Sequence, residues 1–234
     1  MTLIGKLHPA FFHPASGSTR IILVRHGQTD GNAQGLLHGH TDLPLNEAGK
    51  QQALLLANRI QADFAFEAVL SSTLKRAIMT AETLGSAVGL QPELLPGLKE
   101  MDFGDFEGMS IEKMFADYPD LAEKWTDRAN DSLAWPNGES RRSFRVRVLE
   151  AFVTIAESFD GKSVVVVSHN GVMGSFLAHA LDTSPGAWDT YRLRNCSITQ
   201  LEIDRRGTTV ISYNDCEHLG EIGLPKPTGA GKIR

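Results

Sequence analysis

The stretch SVVVVSHNG, residues 163–171, decides the architecture. Four consecutive valines show no alternation of polar and apolar positions, the pattern of a strand covered on both faces, as in a parallel sheet. The apolar run stops at Ser168, and His169, Asn170 and Gly171 follow at once. A second stretch repeats that plan earlier in the chain: IILV (21–24), then Arg25, His26 and Gly27. In an open α/β sheet, ligands bind in the crevice beyond the carboxyl ends of the strands. Two strands that end this way would deliver two histidines to one place.

Outward from these strands, helical and extended patterns alternate. Asn46 is placed to cap a helix from Glu47 to about Ile60, with Ala53, Leu56, Ala57 and Ile60 on one face. Ala68 to Leu70 reads as a short strand running into Ser71, Ser72 and Thr73, then a helix from about Leu74 to Leu84. A helix through Leu181 follows Gly171, and Ser197–Ile203 and Thr208–Tyr213 read as two further strands. This order predicts an α/β fold, a three-layer sandwich with a mostly parallel central sheet flanked by helices. Between about 103 and 139, glycine, proline and six aromatic residues break the pattern: Phe103, Phe106, Phe115, Tyr118, Trp125 and Trp135. That segment is too short for its own core and predicts a helical lid over one end of the sheet. A long helix from Ser140 to about Ser158 follows it. Residues 20–222 are therefore expected to form one domain, with a loose arm at 1–19 and a tail at 223–234.

With 234 residues, the chain can bury one substantial core without a metal or disulfide staple. A hydrophobic share of 41% and a charged share of 22% exclude disordered and fibrous classes. The formal charge of -5 argues against nucleic-acid binding through bulk charge. No apolar run reaches the roughly 18 residues of a membrane span, and His8, Pro9, His13 and Pro14 break up anything like a signal peptide. No membrane association and a cytoplasmic location are expected. Cys196 and Cys216 are too far apart for a redox pair or a four-ligand zinc site, and read as buried or incidental thiols.

The crevice that receives His26 and His169 would also receive Ser71 and Ser72, with Arg76 on the first turn of the following helix. Its spacing from Ala77 and Ala81 turns Arg76 toward the strand ends. Two arginines, two histidines and a helix N-terminus make an anion site, because the guanidinium fork fits phosphoryl oxygens and unpaired backbone N–H groups add donors. His38-Gly39-His40 is a weak metal-like spacing, and no metal or other cofactor is expected.

Arg25-His26-Gly27 with Thr29 and Asn32, then Gly39, Asp42, Pro44-Leu45, Glu47 and Gly49, resembles the opening of the histidine phosphatase superfamily, also called phosphoglycerate mutase-like. Ser71 to Ala77 with Thr80-Ala81, Glu100 ahead of Phe103-Gly104 and Glu107-Gly108, Gly138-Glu139-Ser140, and Ser168 to Gly171 are similar to its later blocks, in order. Asn195 with Ser197-Ile198-Thr199, and His218-Leu219, resemble its closing segments. The resemblance spans roughly residues 20 to 219. It implies a phosphomonoesterase of the metal-independent histidine acid phosphatase type, acting on a small phosphorylated metabolite. His26 would take the phosphoryl group on a ring nitrogen. Arg25, Arg76 and His169 would hold the phosphoryl oxygens, with Asn32 and Asn170 also binding phosphate. Glu100 would protonate the leaving oxygen and later activate water. His38 stands where mutase-type members carry a small hydroxyl residue.

The alternative is a cofactor-dependent phosphoglycerate mutase. Mutase-like members carry a long insertion with clustered basic residues between the glutamate and the second histidine. Here 68 residues separate Glu100 from His169, and Lys113, Lys124 and Arg128 are dispersed among acidic and aromatic residues. That favours a phosphatase. The length is similar to the α-ribazole-phosphate and broad-specificity branches, although Gly171-Val172-Met173-Gly174 lacks the arginine many such members carry there. The six aromatics would either line the pocket or pack as a satellite core. A non-enzymatic phosphate-binding module would have no need of Glu100, and a dinucleotide enzyme would need a Gly-x-Gly-x-x-Gly that no strand precedes. Homodimerisation is left open.

Overall fold

A computed structural model describes residues 4–5, 17–127, 130–181, 187–204, 206–220 and 222. Most of the expected N-terminal arm and the whole expected tail at 223–234 lie outside the described residues, as does Arg128 of the lid. The strands are β1 (Ile4–Gly5), β2 (Thr19–Arg25), β3 (Ala68–Ser71), β4 (Glu93–Leu94), β5 (Ser163–Ser168), β6 (Ile198–Asp204) and β7 (Gly207–Asp215). The helices are α1 (Asp30–Ala33), α2 (Glu47–Asp63), α3 (Lys75–Val88), α4 (Ile111–Asp117), α5 (Pro119–Thr126), α6 (Arg141–Ser158) and α7 (Asn170–Ala180). No helix among the described residues is long and apolar enough to cross a membrane.

The strands form one sheet in the order β1-β7-β6-β2-β5-β3-β4. Pairings β2–β5, β5–β3 and β3–β4 are parallel, whereas β2–β6, β6–β7 and β1–β7 are antiparallel. β2 is thus buried between a parallel and an antiparallel neighbour. Burial on both faces follows from the layers above and below, whichever way a neighbouring strand runs. In the antiparallel half, the consecutive strands β6 and β7 pair with each other, and β6 also runs antiparallel to β2.

Alternate residues of the central strands face opposite layers. Ile22, Val24, Val69, Val165 and Val167 pack with Ala53, Leu56 and Ile60 of α2 and Ala77, Ala81 and Leu84 of α3. Ile21, Leu23, Leu70, Val164 and Val166 pack with Phe144, Val148 and Phe152 of α6 and Phe176 and Leu177 of α7. On β6, Ile198 joins the first group while Leu201 and Ile203 join the second, which is why its sequence alternates poorly. Three layers result.

Local chemistry fixes the helix starts. The Asn46 side chain accepts the Gly49 N–H at the head of α2, and Ser140 and Ser143 form a reciprocal capping box at the head of α6. Gly89 ends α3 in the left-handed region at φ 76°. The segment between Phe103 and Ser140 carries α4 and α5. Phe103, Phe106 and Trp135 sink into the same apolar cluster as α6 and α7, so it shares the core of the sheet. Phe115 and Tyr118 stay exposed. Register places Arg25 opposite Ser168, and Ser71 opposite Val167, so three loops leave the sheet at one edge.

Candidate active site

The loop after β2 lies directly against the first turn of α2. A side chain on Gly27 would come within 2.6 Å of Gly49 O, and one on Gly49 within 2.1 Å of Gln28 O, so this contact needs both glycines. The loop holds His26 almost fully buried. His26 Nδ1 lies 2.7 Å from Gly27 O. A carbonyl can only accept, so Nδ1 carries the proton and Nε2 keeps its lone pair. Burial first, and then the charges of Arg76 and Arg25, push its pKa well below the ordinary histidine value. The imidazole is neutral at pH 7. Its backbone is tied down by Asn195 Nδ2, which donates to His26 O at 2.9 Å, and by His26 N–H to Ser168 O at 3.0 Å. Cys196, a buried free thiol, donates its backbone N–H to Arg25 O at 2.8 Å.

His169, at the end of β5, has a different setting. Arg76 Nε donates to its Nδ1 at 3.2 Å, which leaves its proton on Nε2, 2.8 Å from Ser72 Oγ. Burial, then the Arg76 charge, depress its pKa well below the usual value. The two imidazoles stand 5.0 Å apart, tilted by 56°. Arg76 is buried, and its remaining donors reach Thr41 O (3.1 Å), His38 O (3.2 Å) and Gly39 O (2.7 Å). Arg25 Nη1 donates to Leu193 O at 2.6 Å, while its Nε is buried with no partner among the described residues. Burial lowers the Arg25 pKa to about 10, which leaves it charged at neutral pH. Arg25 and Arg76 both line one cavity, and two guanidinium groups there suit an anion.

Glu100 reaches the same cavity. Its Oε2 accepts the Gly171 N–H of the first turn of α7 at 3.0 Å, and its Oε1 accepts the Met101 N–H at 3.0 Å. A side chain at position 171 would come within 2.3 Å of Oε1, so glycine there admits the carboxyl. The Glu100 carbonyl is held by Arg147 Nη2 at 3.3 Å and His40 Nε2 at 3.1 Å. Arg147 also binds Gly97 O and Lys99 O and grips Glu139 with two bonds of 2.9 and 2.7 Å.

Glu107 joins two loops. Its carboxylate accepts the N–H groups of Gly39, His40, Thr41 and Phe103 and the Thr41 hydroxyl, at 2.5 to 3.1 Å. Burial alone would raise its pKa, but these five donors outweigh that and bring it below the usual carboxylate value. Glu107 so fixes the loop whose carbonyls hold Arg76. Nothing in the spacing of Glu107 or Arg147 along the chain announces these partners.

Asn32 Oδ1 accepts the Thr29 N–H at 3.1 Å and Asn195 Nδ2 at 3.2 Å, and its Nδ2 lies 3.4 Å from His38 Nε2. His38 Nδ1 donates to Leu36 O at 2.9 Å. His38 and His40 bind separate partners, and no cluster of three or more His, Cys, Asp or Glu that could hold a metal ion occurs among the described residues. Asn170 Oδ1 accepts the Leu193 N–H at 2.8 Å. A cavity of about 250 Å³ is lined by Arg25, His26, Asn32, His38, Arg76, Glu100 and Asn170. The structure thus brings together every expected site residue. His169 differs in standing behind His26 and Arg76 rather than in the lining. Of the aromatics, Phe103 and Trp125 line the cavity, joined by Trp188, which no sequence pattern had marked.

A sequence model of the histidine phosphatase superfamily (branch 1) matches residues 21–216. The chain is 31% identical over 208 residues to a metal-independent phosphoserine phosphatase of Arabidopsis thaliana, covering 88% of this chain and 85% of that one. It is 30% identical over 210 residues to a probable phosphoglycerate mutase GpmB of Escherichia fergusonii, covering 88% and 97%. Among solved structures, YhfR of Bacillus stearothermophilus superposes with a TM-score of 0.78 at 29% identity, covering 86% of this chain and 99% of that one.

Proposed function

Because the chain belongs to the histidine phosphatase superfamily, branch 1, we propose that it hydrolyses a small phosphorylated metabolite through a phosphohistidine on His26. The observation that carries this reading is the Nδ1–H bond of His26 to Gly27 O, which leaves a neutral ring with its Nε2 lone pair free. The Nε2 lone pair attacks phosphorus as the bond to the ester oxygen breaks. Arg25 and Arg76 stabilise the charge on the equatorial oxygens, with Asn32 and Asn170 as neutral partners. Glu100 gives its proton to the departing alkoxide. It then takes a proton from the water that attacks phosphohistidine, which releases phosphate and restores the free ring. His169 acts through Arg76, whose Nε it accepts, and so sets the plane of the guanidinium. The two arginines supply the positive charge that a metal supplies elsewhere, so activity should need no added metal.

Hydrolysis is favoured over mutase chemistry by the lining, where Arg25 and Arg76 are the sole lysine or arginine residues among those described. Both serve the phosphoryl end, and neither is left to read a substrate carboxylate. One assay tests both points. With 3-phosphoglycerate and a bisphosphoglycerate primer, interconversion to 2-phosphoglycerate faster than phosphate release would establish the mutase. With a panel of small phosphate esters in EDTA, phosphate release is expected, and activity that returns only with a divalent metal would overturn the metal-independent route.

A further inference from the structure

Besides the arginines, the cavity is lined by aromatic rings, Phe103, Trp125, Phe144 and Trp188. Trp125, in the last turn of α5, meets Phe103 at 5.9 Å, Trp135 at 4.8 Å and Trp188 at 5.3 Å between ring centroids. The contacts with Trp135 and Trp188 are edge-to-face, the arrangement that ring quadrupoles favour. Trp135 is core, with its indole N–H on Met101 Sδ at 3.1 Å. Phe103, Trp125 and Trp188 face the cavity. Rings locked against one another in this way form a wall that exists before any ligand arrives.

Charge points the same way. Both lining arginines are held by backbone carbonyls, Arg25 by Leu193 O and Arg76 by Gly39 O, and Glu100 lines the same cavity. A leaving group with a carboxylate would lose its water against the rings, beside Glu100, with no lysine or arginine among the described lining residues beyond the two at the phosphoryl end. Such desolvation is costly. The volume of about 250 Å³ falls a little below the roughly 300–1,000 Å³ of drug-sized sites, which suits a phosphate with one or two rings.

We infer that the preferred substrate is the phosphate monoester of an alcohol that carries a planar, apolar ring and no carboxylate, seated on Phe103, Trp125 and Trp188. This rests on the hydrolase reading above and extends it to the leaving group.

The test compares 2-phenylethyl phosphate, propyl phosphate and phosphoserine. All three leave as primary alkoxides, so differences report the wall rather than the bond broken. kcat/KM should fall in that order, with the first above the last by roughly 100-fold or more. Trp125→Ala should shrink the phenylethyl-over-propyl ratio by roughly tenfold, and Trp125→Phe should restore most of it. Equal rates for the three esters, or phosphoserine as the best, would overturn the inference and leave the hydrolase standing. No release from any ester would overturn the hydrolase instead. Calorimetry with 2-phenylethylphosphonate and propylphosphonate then reads the wall without chemistry. A preference of about tenfold for the aromatic phosphonate would uphold the wall, and none would remove it as well.

Discussion

β2 and β5 end alike, in an apolar run followed by a histidine and then a glycine, and their histidine rings lie 5.0 Å apart. Both rings are kept neutral by burial first and then by the charges of the same arginines. They differ in what each nitrogen faces. His26 anchors Nδ1 on the carbonyl of its own neighbour and leaves Nε2 open to the cavity. His169 has Nδ1 on Arg76 and Nε2 on Ser72, so neither nitrogen is free. On the proposed chemistry, equal burial and charge would therefore not choose the nucleophile. The hydrogen bonds of the two rings would.

The comparison breaks most readily at the two rings themselves. His26→Ala removes the proposed nucleophile, and turnover should fall by roughly 10⁴-fold or more with no burst of nitrophenol from nitrophenyl phosphate. His169→Ala leaves that atom in place, so a burst should persist while its rate falls by about 10²–10³-fold through a misplaced Arg76. A lost burst in the second variant and a retained one in the first would reverse the assignment.

Glu100→Gln comes next. An alkyl phosphate should lose roughly 10²–10⁴-fold in phosphorylation of His26, since its alkoxide must be protonated as it leaves. Nitrophenyl phosphate should lose far less in that first step and then stall at phosphohistidine, giving a burst and a slow steady state in stopped flow. Equal losses for both esters would make Glu100 a positioning group rather than the proton donor.

A smaller effect reads the same comparison through stability, where the two histidines should behave alike. Both have folded-state pKa values depressed below the usual 6.5. Below that pH the unfolded chain binds protons that the native state refuses, so stability is complete above the ordinary value and lost as pH falls toward the folded values. Each ring should cost up to about 1.4 kcal/mol per pH unit in that window. Glu107, also depressed, adds a further loss as the pH falls below its ordinary 4.5. Urea melts at pH 7.5 and 5.5 should show the drop, and His26→Gln and His169→Gln should each flatten it to a similar degree. A flat wild-type profile would mean the rings titrate normally.

Much of the fold could be read from the chain because its cues are local. Val164 to Val167 carry burial on both faces, Asn46 and Ser140 announce helix starts, and the spacing of Arg76 from Ala77 and Ala81 turns it into the crevice. The antiparallel half of the sheet was not legible in IILV, since a strand buried on both faces reads the same beside either kind of neighbour. Glu100 emerged only through the family's block order. A carboxylate in a loop has no periodicity, and what admits it to the site is the missing side chain of Gly171, far along the sequence. Glu107, Arg147 and Trp188 escaped for the same reason, because their partners are backbone groups, side chains or rings brought in by distant segments. The side-chain partners that separate His26 from His169 are likewise set by tertiary contact.

The central claim is that phosphate is carried on one nitrogen of one residue. Incubating the protein with nitrophenyl phosphate, quenching in alkali and mapping the label by mass spectrometry, with phosphorus–nitrogen NMR to separate the ring isomers, tests it directly. The account predicts a single phosphohistidine at His26, bonded through Nε2. Phosphate on His169, on Ser71, Ser72 or Ser168, or on Nδ1 of His26 would contradict it.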